Sequence, residues 1–212
     1  MSRAVVFVNG ELIGDKSFYQ NYIKPDDTIV CADGGAEHAL SLQIQPDLIL
    51  GDLDSIFFKT LKYYESNGVK FEKFPSNKDK TDTQLLLERL IVKEYDEIII
   101  FAALGDRVDH SLGNIYLLEG LYTSRTNIKL VSPNETLQLI KNKTVISNQQ
   151  GKTISLLPLT KQITGVSLSG FKYELDDGIL KRGETLGLSN VIKQNLAVID
   201  LKQGSLLLVI NN

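Results

Sequence analysis

The chain has 212 residues, 42% of them hydrophobic and 23% charged, with a net charge of −3 and a single cysteine. That length can bury a sizeable core and suits one large domain or two modest ones. The slightly acidic balance and the lack of a long basic run argue against a nucleic-acid surface as the main function. Cys31 stands alone, which excludes an intramolecular disulfide and a cysteine-based zinc cage. No apolar stretch nears the roughly 20 residues of a membrane-spanning helix, and M-S-R-A-V-V-F-V-N lacks the pattern of a signal peptide. The expected setting is a reducing cytoplasm, away from the membrane.

In chain order, Ala4–Val8 is a continuous apolar run suited to a buried parallel strand. A short helix is expected over 15–24, then a strand at Thr28–Ala32 and a helix from about Ala36 to Leu42. Residues 47–50 form the third strand, closed by Gly51, which allows a sharp turn. Phe57–Ser66 reads as a helix stopped by Asn67-Gly68, and Val69–Phe74 alternates as a less buried strand. Thr81 with Gln84 forms a capping-box pattern at the head of a helix reaching about Lys93, with Leu86, Leu87, Leu90 and Ile91 on one face. Glu97–Ala103, a helix over about 110–122 and a strand at Ile128–Ser132 complete this half. Such alternation predicts a parallel sheet with helices on both faces.

Near residue 135 the texture changes to short strands only: 136–140, 143–147, 152–157, 163–168, 171–175, 197–202 and 205–210. Turn signals separate them, among them Gln150-Gly151, Asp177-Gly178 and Gln203-Gly204. The expected fold is therefore an α/β, Rossmann-like parallel-sheet domain over 1–134, followed by an antiparallel β-sandwich over 135–212.

Four polar runs sit at connections of the first half. They are Asp33-Gly34-Gly35; Gly51-Asp52-Leu53-Asp54-Ser55; Lys78-Asp79-Lys80-Thr81-Asp82; and Gly105-Asp106-Arg107-Val108-Asp109-His110, with Asn114 one turn later. In a parallel sheet these connections gather at one edge, so the runs should meet. Carboxylates spaced i, i+2 on a turn, as Asp52 and Asp54 are, can converge on one hard cation such as Mg²⁺, while nearby Lys and Arg neutralise phosphate oxygens. Each run taken singly also has a plainer reading. Asp33-Gly34-Gly35 could cap a helix, Arg107 and Asp109 could form a surface ion pair, and His110 could be a structural hydrogen-bonder. The joint placement of four runs favours a metal–phosphate site. No G-x-x-x-x-G-K-[ST], G-x-G-x-x-G or G-x-S-x-G occurs, which sets aside P-loop, dinucleotide and α/β-hydrolase readings.

Taken in order, C-A-D-G-G-A at 31–36, P-D-L-I-L-G-D-L-D-S at 46–55, K-D-K-T-D at 78–82 and A-L-G-D-R-V-D-H with Asn114 resemble the motifs of the thiamin pyrophosphokinase family. In the second half, G-F-K-Y at 170–173 and Ser189-Asn190 look like that family's thiamin-side elements. The resemblance implies Mg²⁺-dependent transfer of pyrophosphate from ATP to thiamin, giving thiamin diphosphate and AMP. By the same carry-over, Asp52, Asp54 and Asp82 hold the metal and organise transfer. Asp33, Gly34, Gly35, Ser55, Lys78, Asp79, Thr81, Arg107, Asp109, His110 and Asn114 surround ATP. Tyr173, Ser189 and Asn190 serve thiamin, and a homodimer shares its active site between subunits. Two positions depart from the pattern: Tyr173 stands where some members carry Trp, and Asp106 where a second Gly is common. Tyr173 could also be a strand residue of the sandwich core. The rivals are a diphosphokinase for another heterocyclic alcohol, such as a hydroxymethylpterin, and a non-catalytic sensor of nucleotide or thiamin.

Overall fold

The computed structural model describes residues 2–74, 79–105 and 107–212. Two compact units divide the chain, Met1–Pro133 and Asn134–Asn212.

The first unit alternates strand and helix throughout. Its elements are β1 (Arg3–Phe7), α1 (Lys16–Tyr22), β2 (Thr28–Ala32), α2 (Gly35–Ser41), β3 (Leu48–Gly51), α3 (Phe58–Ser66), β4 (Lys70–Lys73), α4 (Asp82–Val92), β5 (Glu97–Phe101), α5 (Val108–Gly120) and β6 (Asn127–Val131). The six strands are parallel in the order β6-β5-β1-β2-β3-β4. β1 is buried along its whole length and β5 carries Ile98, Ile99 and Ile100 in the core, as a sheet covered on both faces requires. Phe7, Tyr19 and Phe101 pack ring against ring on one face. At the edge, β4 is short and exposes Lys70 and Lys73, charges that discourage further strand pairing. α4 begins as expected: Thr81 is its N-cap and accepts the Gln84 N–H at 3.2 Å, while Leu86, Leu87 and Leu90 are buried. Each of those leucines contributes about 1.5–3 kcal/mol by leaving water. Strand order reverses between β1 and β5, so a crevice opens beyond their carboxyl ends.

The second unit is a sandwich. It consists of β7 (Glu135–Ile140), β8 (Thr144–Ser147), β9 (Thr153–Pro158), β10 (Gln162–Ser169), β11 (Leu175–Lys181), β12 (Asn190–Val191), β13 (Leu196–Asp200) and β14 (Leu206–Asn211). Strands β12-β9-β14-β7 form one antiparallel layer and β11-β10-β13-β8 the other. Ile140, Ile154, Leu206 and Leu208 from the first layer and Ile163, Val166, Leu180 and Ile199 from the second share one core.

The expected strand at 171–175 is not there. Phe171 makes only an isolated bridge to Ile192, and the strand runs instead from Leu175 to Lys181, through the expected Asp177-Gly178 turn. The β10–β11 register shifts between Thr164 and Val166 and again between Val166 and Leu168, with Asp177 at φ 48°. The Asp-Gly pair thus serves a bulged ladder and does not reverse the chain. Among the described residues, no helix is long and apolar enough to cross a membrane.

Candidate active site

Three carboxylates meet at the carboxyl ends of β2 and β3. One oxygen each from Asp33, Asp52 and Asp54 lies within 4.8 Å of the others. Asp33 follows β2 with φ 45°, a left-handed conformation that Asp tolerates better than most residues. Its N–H donates to the Leu50 carbonyl at 2.8 Å, and its carbonyl accepts the Ala36 N–H at 3.0 Å. The residue is 9% exposed, and its Oδ1 is buried without a hydrogen-bond partner among the described residues. The run does form the turn that starts α2, with Gly34 as N-cap, but the Asp33 side chain makes no cap hydrogen bond and is left to the cluster. Gly35 allows α2 to start hard against β1, since a Cβ there would lie 2.1 Å from the Phe7 carbonyl oxygen.

Gly51 ends β3 at φ 148°, and a Cβ on it would meet the Cβ of Asp33 at 3.0 Å. Glycine thus lets the Asp52–Asp54 turn close over Asp33. Within that turn Leu53 takes φ 67°, the Asp54 N–H donates to Asp52 Oδ1 at 3.3 Å, and Ser55 Oγ donates to Asp54 Oδ1 at 3.1 Å. Asp52 is half-buried and Asp54 exposed.

Beside this cluster lies a cleft of about 680 Å³ lined by Asp33, Ser55, Thr81, Asp82, Arg107, Asp109, His110 and Asn114, among others. Three of the four polar runs therefore meet as expected through described residues, and Thr81 and Asp82 of the remaining run join them. Asp82 sits in the first turn of α4 and lines the cleft, although the close-set trio is completed by Asp33. Arg107 donates to both oxygens of Asp109, at 3.1 and 2.6 Å, and both side chains are exposed. The Arg107 hydrogen bond holds the Asp109 carboxyl below the usual carboxylate range. His110 is exposed and donates its backbone N–H to Asp109 Oδ1. Asn114 donates from Nδ2 to the Ala103 carbonyl at 2.8 Å, tying α5 to the loop after β5. Asp79 is exposed and is not one of the lining residues, and Lys78 lies outside the described residues.

Sequence reasoning passed over Asn9 and Gly10, which follow β1 and line the same cleft. Gly10 donates to the Ala102 carbonyl at 2.9 Å, and His38 Nε2 contacts the Gly10 carbonyl at 2.8 Å. The signal was present: a polar pair directly follows a buried run, at the same sheet edge as the charged runs.

In the second unit, Tyr173 is 58% exposed, so it is not a core residue. Lys172 Nζ stands 4.9 Å from its ring centroid. Asn190 is buried and grips the Tyr173 backbone from both sides. Its Oδ1 accepts the Tyr173 N–H at 3.0 Å and the Val191 N–H at 2.8 Å, while its Nδ2 donates to the Tyr173 carbonyl at 2.7 Å. Ser189 takes φ 56° and donates its N–H to Ser155 Oγ at 3.2 Å.

Comparison with known proteins places this geometry in a family. Residues 19–130 match the thiamin pyrophosphokinase catalytic domain, and residues 142–206 match the thiamin pyrophosphokinase vitamin B1 binding domain. The chain belongs to the thiamin pyrophosphokinase family of enzymes. The thiamine pyrophosphokinase of Bacillus subtilis is 29% identical over 179 residues, covering 84% of each chain. A crystal structure of the thiamine pyrophosphokinase from that organism superposes with a TM-score of 0.88 at 27% identity, covering 100% of this chain and 99% of the other. The thiamin pyrophosphokinase structure from Geobacillus thermodenitrificans gives 0.86 at 27% identity, covering 100% and 98%. Within the thiamin pyrophosphokinase catalytic match lie Asp33, Asp52, Asp54, Asp82 and the cleft around Arg107 and Asn114; Tyr173, Ser189 and Asn190 fall within the vitamin B1 binding match.

Proposed function

We propose that this protein transfers the pyrophosphoryl group of ATP to the hydroxyl of thiamin, giving thiamin diphosphate and AMP, with Mg²⁺ as the metal. The observation that carries the reading is the Asp33–Asp52–Asp54 cluster, with an Asp33 Oδ1 that is buried and unpartnered among the described residues. A buried carboxylate oxygen without a partner is costly unless a cation or ligand satisfies it. An all-oxygen, close-set donor group suits a hard cation such as Mg²⁺, and Asp33, Asp52 and Asp54 would hold it, with Asp82 on the phosphate side. When bound, Mg²⁺ supplies charge neutralisation at the phosphate oxygens.

The remaining work falls to the chain's own groups. Positioning and electrostatic stabilisation dominate phosphoryl-type transfer. In the proposed step the thiamin hydroxyl oxygen bonds to the β-phosphorus of ATP as that phosphorus parts from the αβ-bridging oxygen, which leaves with AMP. The hydroxyl proton passes to a carboxylate of the acidic group. Arg107 compensates charge on the phosphate chain, Asn114 and Thr81 frame the nucleotide, and Tyr173, steadied by Asn190, offers its ring to the thiamin pyrimidine. In this reading the first unit binds nucleotide and the second binds thiamin. We further propose a homodimer in which Tyr173 and Ser189 of one copy serve the carboxylates of the other. The exposed apolar residues Val108, Leu112 and Tyr116 on one face of α5 favour self-association. The buried lone Cys31, whose thiol burial pushes up, suits a reducing cytoplasm.

The test is product analysis. Purified protein with ATP, Mg²⁺ and thiamin should yield AMP and thiamin diphosphate in equal amounts, resolved by anion-exchange chromatography. ADP with thiamin monophosphate, or no thiamin product at all, would refute the reading.

A further inference from the structure

Helix α2 carries Asp33 at its entrance, and one turn later it also holds the far end of the loop that bears Asp52 and Asp54. Glu37 is the residue responsible. Its Oε1 accepts the Phe57 N–H at 2.9 Å and its Oε2 accepts the hydroxyl of the buried Thr60 at 2.9 Å. Phe57 is the N-cap of α3 and offers no side-chain cap of its own. A carboxylate from a neighbouring helix therefore satisfies the first donor of α3 and complements the positive end of its dipole. Ile56, beside it, is buried in the same core as Ala36 and Ala39 of α2. At its other end the acidic loop begins at Gly51, packed against Asp33, which itself bonds to the Leu50 carbonyl. Residues 52–55 thus bridge two anchors that both refer to α2.

We infer that Glu37 is a positioning residue that sets the distance between Asp33 and the Asp52–Asp54 turn, and through it the affinity of the trio for a divalent cation. The inference rests on the metal role proposed above for that trio. Nothing in the sequence pattern of acidic runs marks Glu37: it lies on a helix, contacts no carboxylate of the cluster among the bonds described, and looks like an ordinary first-turn acid.

The experiment uses Mn²⁺ as probe, with binding followed by electron paramagnetic resonance, and hydrogen exchange at residues 52–57 as a readout independent of metal. Glu37→Ala should speed exchange across 52–57 and weaken Mn²⁺ binding about tenfold, the lower end of the range for residues supporting metal ligands. Glu37→Gln should restore most of both, because its amide oxygen still accepts the Phe57 N–H and its amide N–H can donate to the Thr60 hydroxyl. Thr60→Val, which keeps the buried volume and removes one bond, should fall between them and stands in if Glu37→Ala does not fold. Unchanged exchange in folded Glu37→Ala, or faster exchange with wild-type Mn²⁺ affinity, would overturn the positioning role. Absence of Mn²⁺ binding to the wild type would instead overturn the metal role of the trio, and the inference with it.

Discussion

Asp33→Asn isolates the conflict between stability and chemistry at this site. Asp33 has a buried oxygen that is unpartnered among the described residues, and one of its oxygens lies within 4.8 Å of those of Asp52 and Asp54. At 4.8 Å two unit charges repel by ~0.9 kcal/mol at the dielectric of water and ~3.5 kcal/mol at an effective dielectric of 20. Asp54 is exposed and Asp52 half-buried, so screening favours the lower figure for each of the two pairs. Removing the Asp33 charge should then stabilise the metal-free protein by about 1–2 kcal/mol, or ~2–8 °C in Tm for a chain of this size. Asn keeps the size and accepts the left-handed backbone that Asp33 adopts, so no strain offsets the gain. The assay is paired thermal melts in EDTA and in excess Mg²⁺, beside turnover. The variant should melt higher than wild type in EDTA, gain little from Mg²⁺, and turn over at least a thousandfold more slowly. A folded Asp33→Asn protein that melts lower in EDTA and still turns over would refute the reasoning.

Two substitutions separate the roles of the second-unit residues. Tyr173→Ala removes an exposed ring, so stability should hold while the KM for thiamin rises on the order of 5- to 150-fold with little change for ATP, the scale of base–aromatic stacking. Asn190→Ala deletes its two bonds to the Tyr173 backbone and one to the Val191 N–H, and should cost about 2–4 kcal/mol in urea melts as well as raising the thiamin KM. At the opposite edge of the first-unit sheet, the Asp27 side chain is 2% exposed and pairs with Arg3 at 2.5 Å. Burial pushes the Asp27 carboxyl up, but hydrogen bonds from Arg3 and the Lys24 N–H outweigh it and leave it below the usual range. A depressed carboxyl adds stability above its unfolded pKa and loses it as pH falls through the folded value. Asp27→Asn should therefore cost ~3 kcal/mol at pH 7, with the deficit shrinking as the pH drops below about 4. A constant deficit across that range would remove the charge from the explanation.

Much of the fold was legible because its signals are local. The run Ile98–Ile100 could only be a strand buried on both faces, and Thr81 caps α4 as read, although the Gln84 side chain donates to Glu88 at 3.0 Å. What failed depended on partners distant in sequence. Asp177-Gly178 carries the chemistry of a turn, yet its place beside β10 makes it part of a bulged strand. β12 is two residues long, too short for any periodicity to announce it. At the site, the Asp52-x-Asp54 turn stood out, but the approach of Asp33 depends on Gly51 having no Cβ, a contact no pattern encodes. Asn9 and Gly10 were overlooked because they carry no charge. Asn190 looked like a ligand residue, whereas its described hydrogen bonds all run to backbone groups of Tyr173 and Val191.

The central claim of the proposed reaction is attack at the β-phosphorus of ATP by the thiamin hydroxyl. ATP carrying ¹⁸O in the αβ-bridging position, turned over by the wild-type protein with Mg²⁺ and thiamin, tests it in one measurement. The isotope should appear wholly in AMP, read as an upfield ³¹P shift of its phosphorus, with unlabelled oxygen joining thiamin to its diphosphate. Label retained between the two phosphates of ADP would mean attack at the γ-phosphorus and would contradict the account.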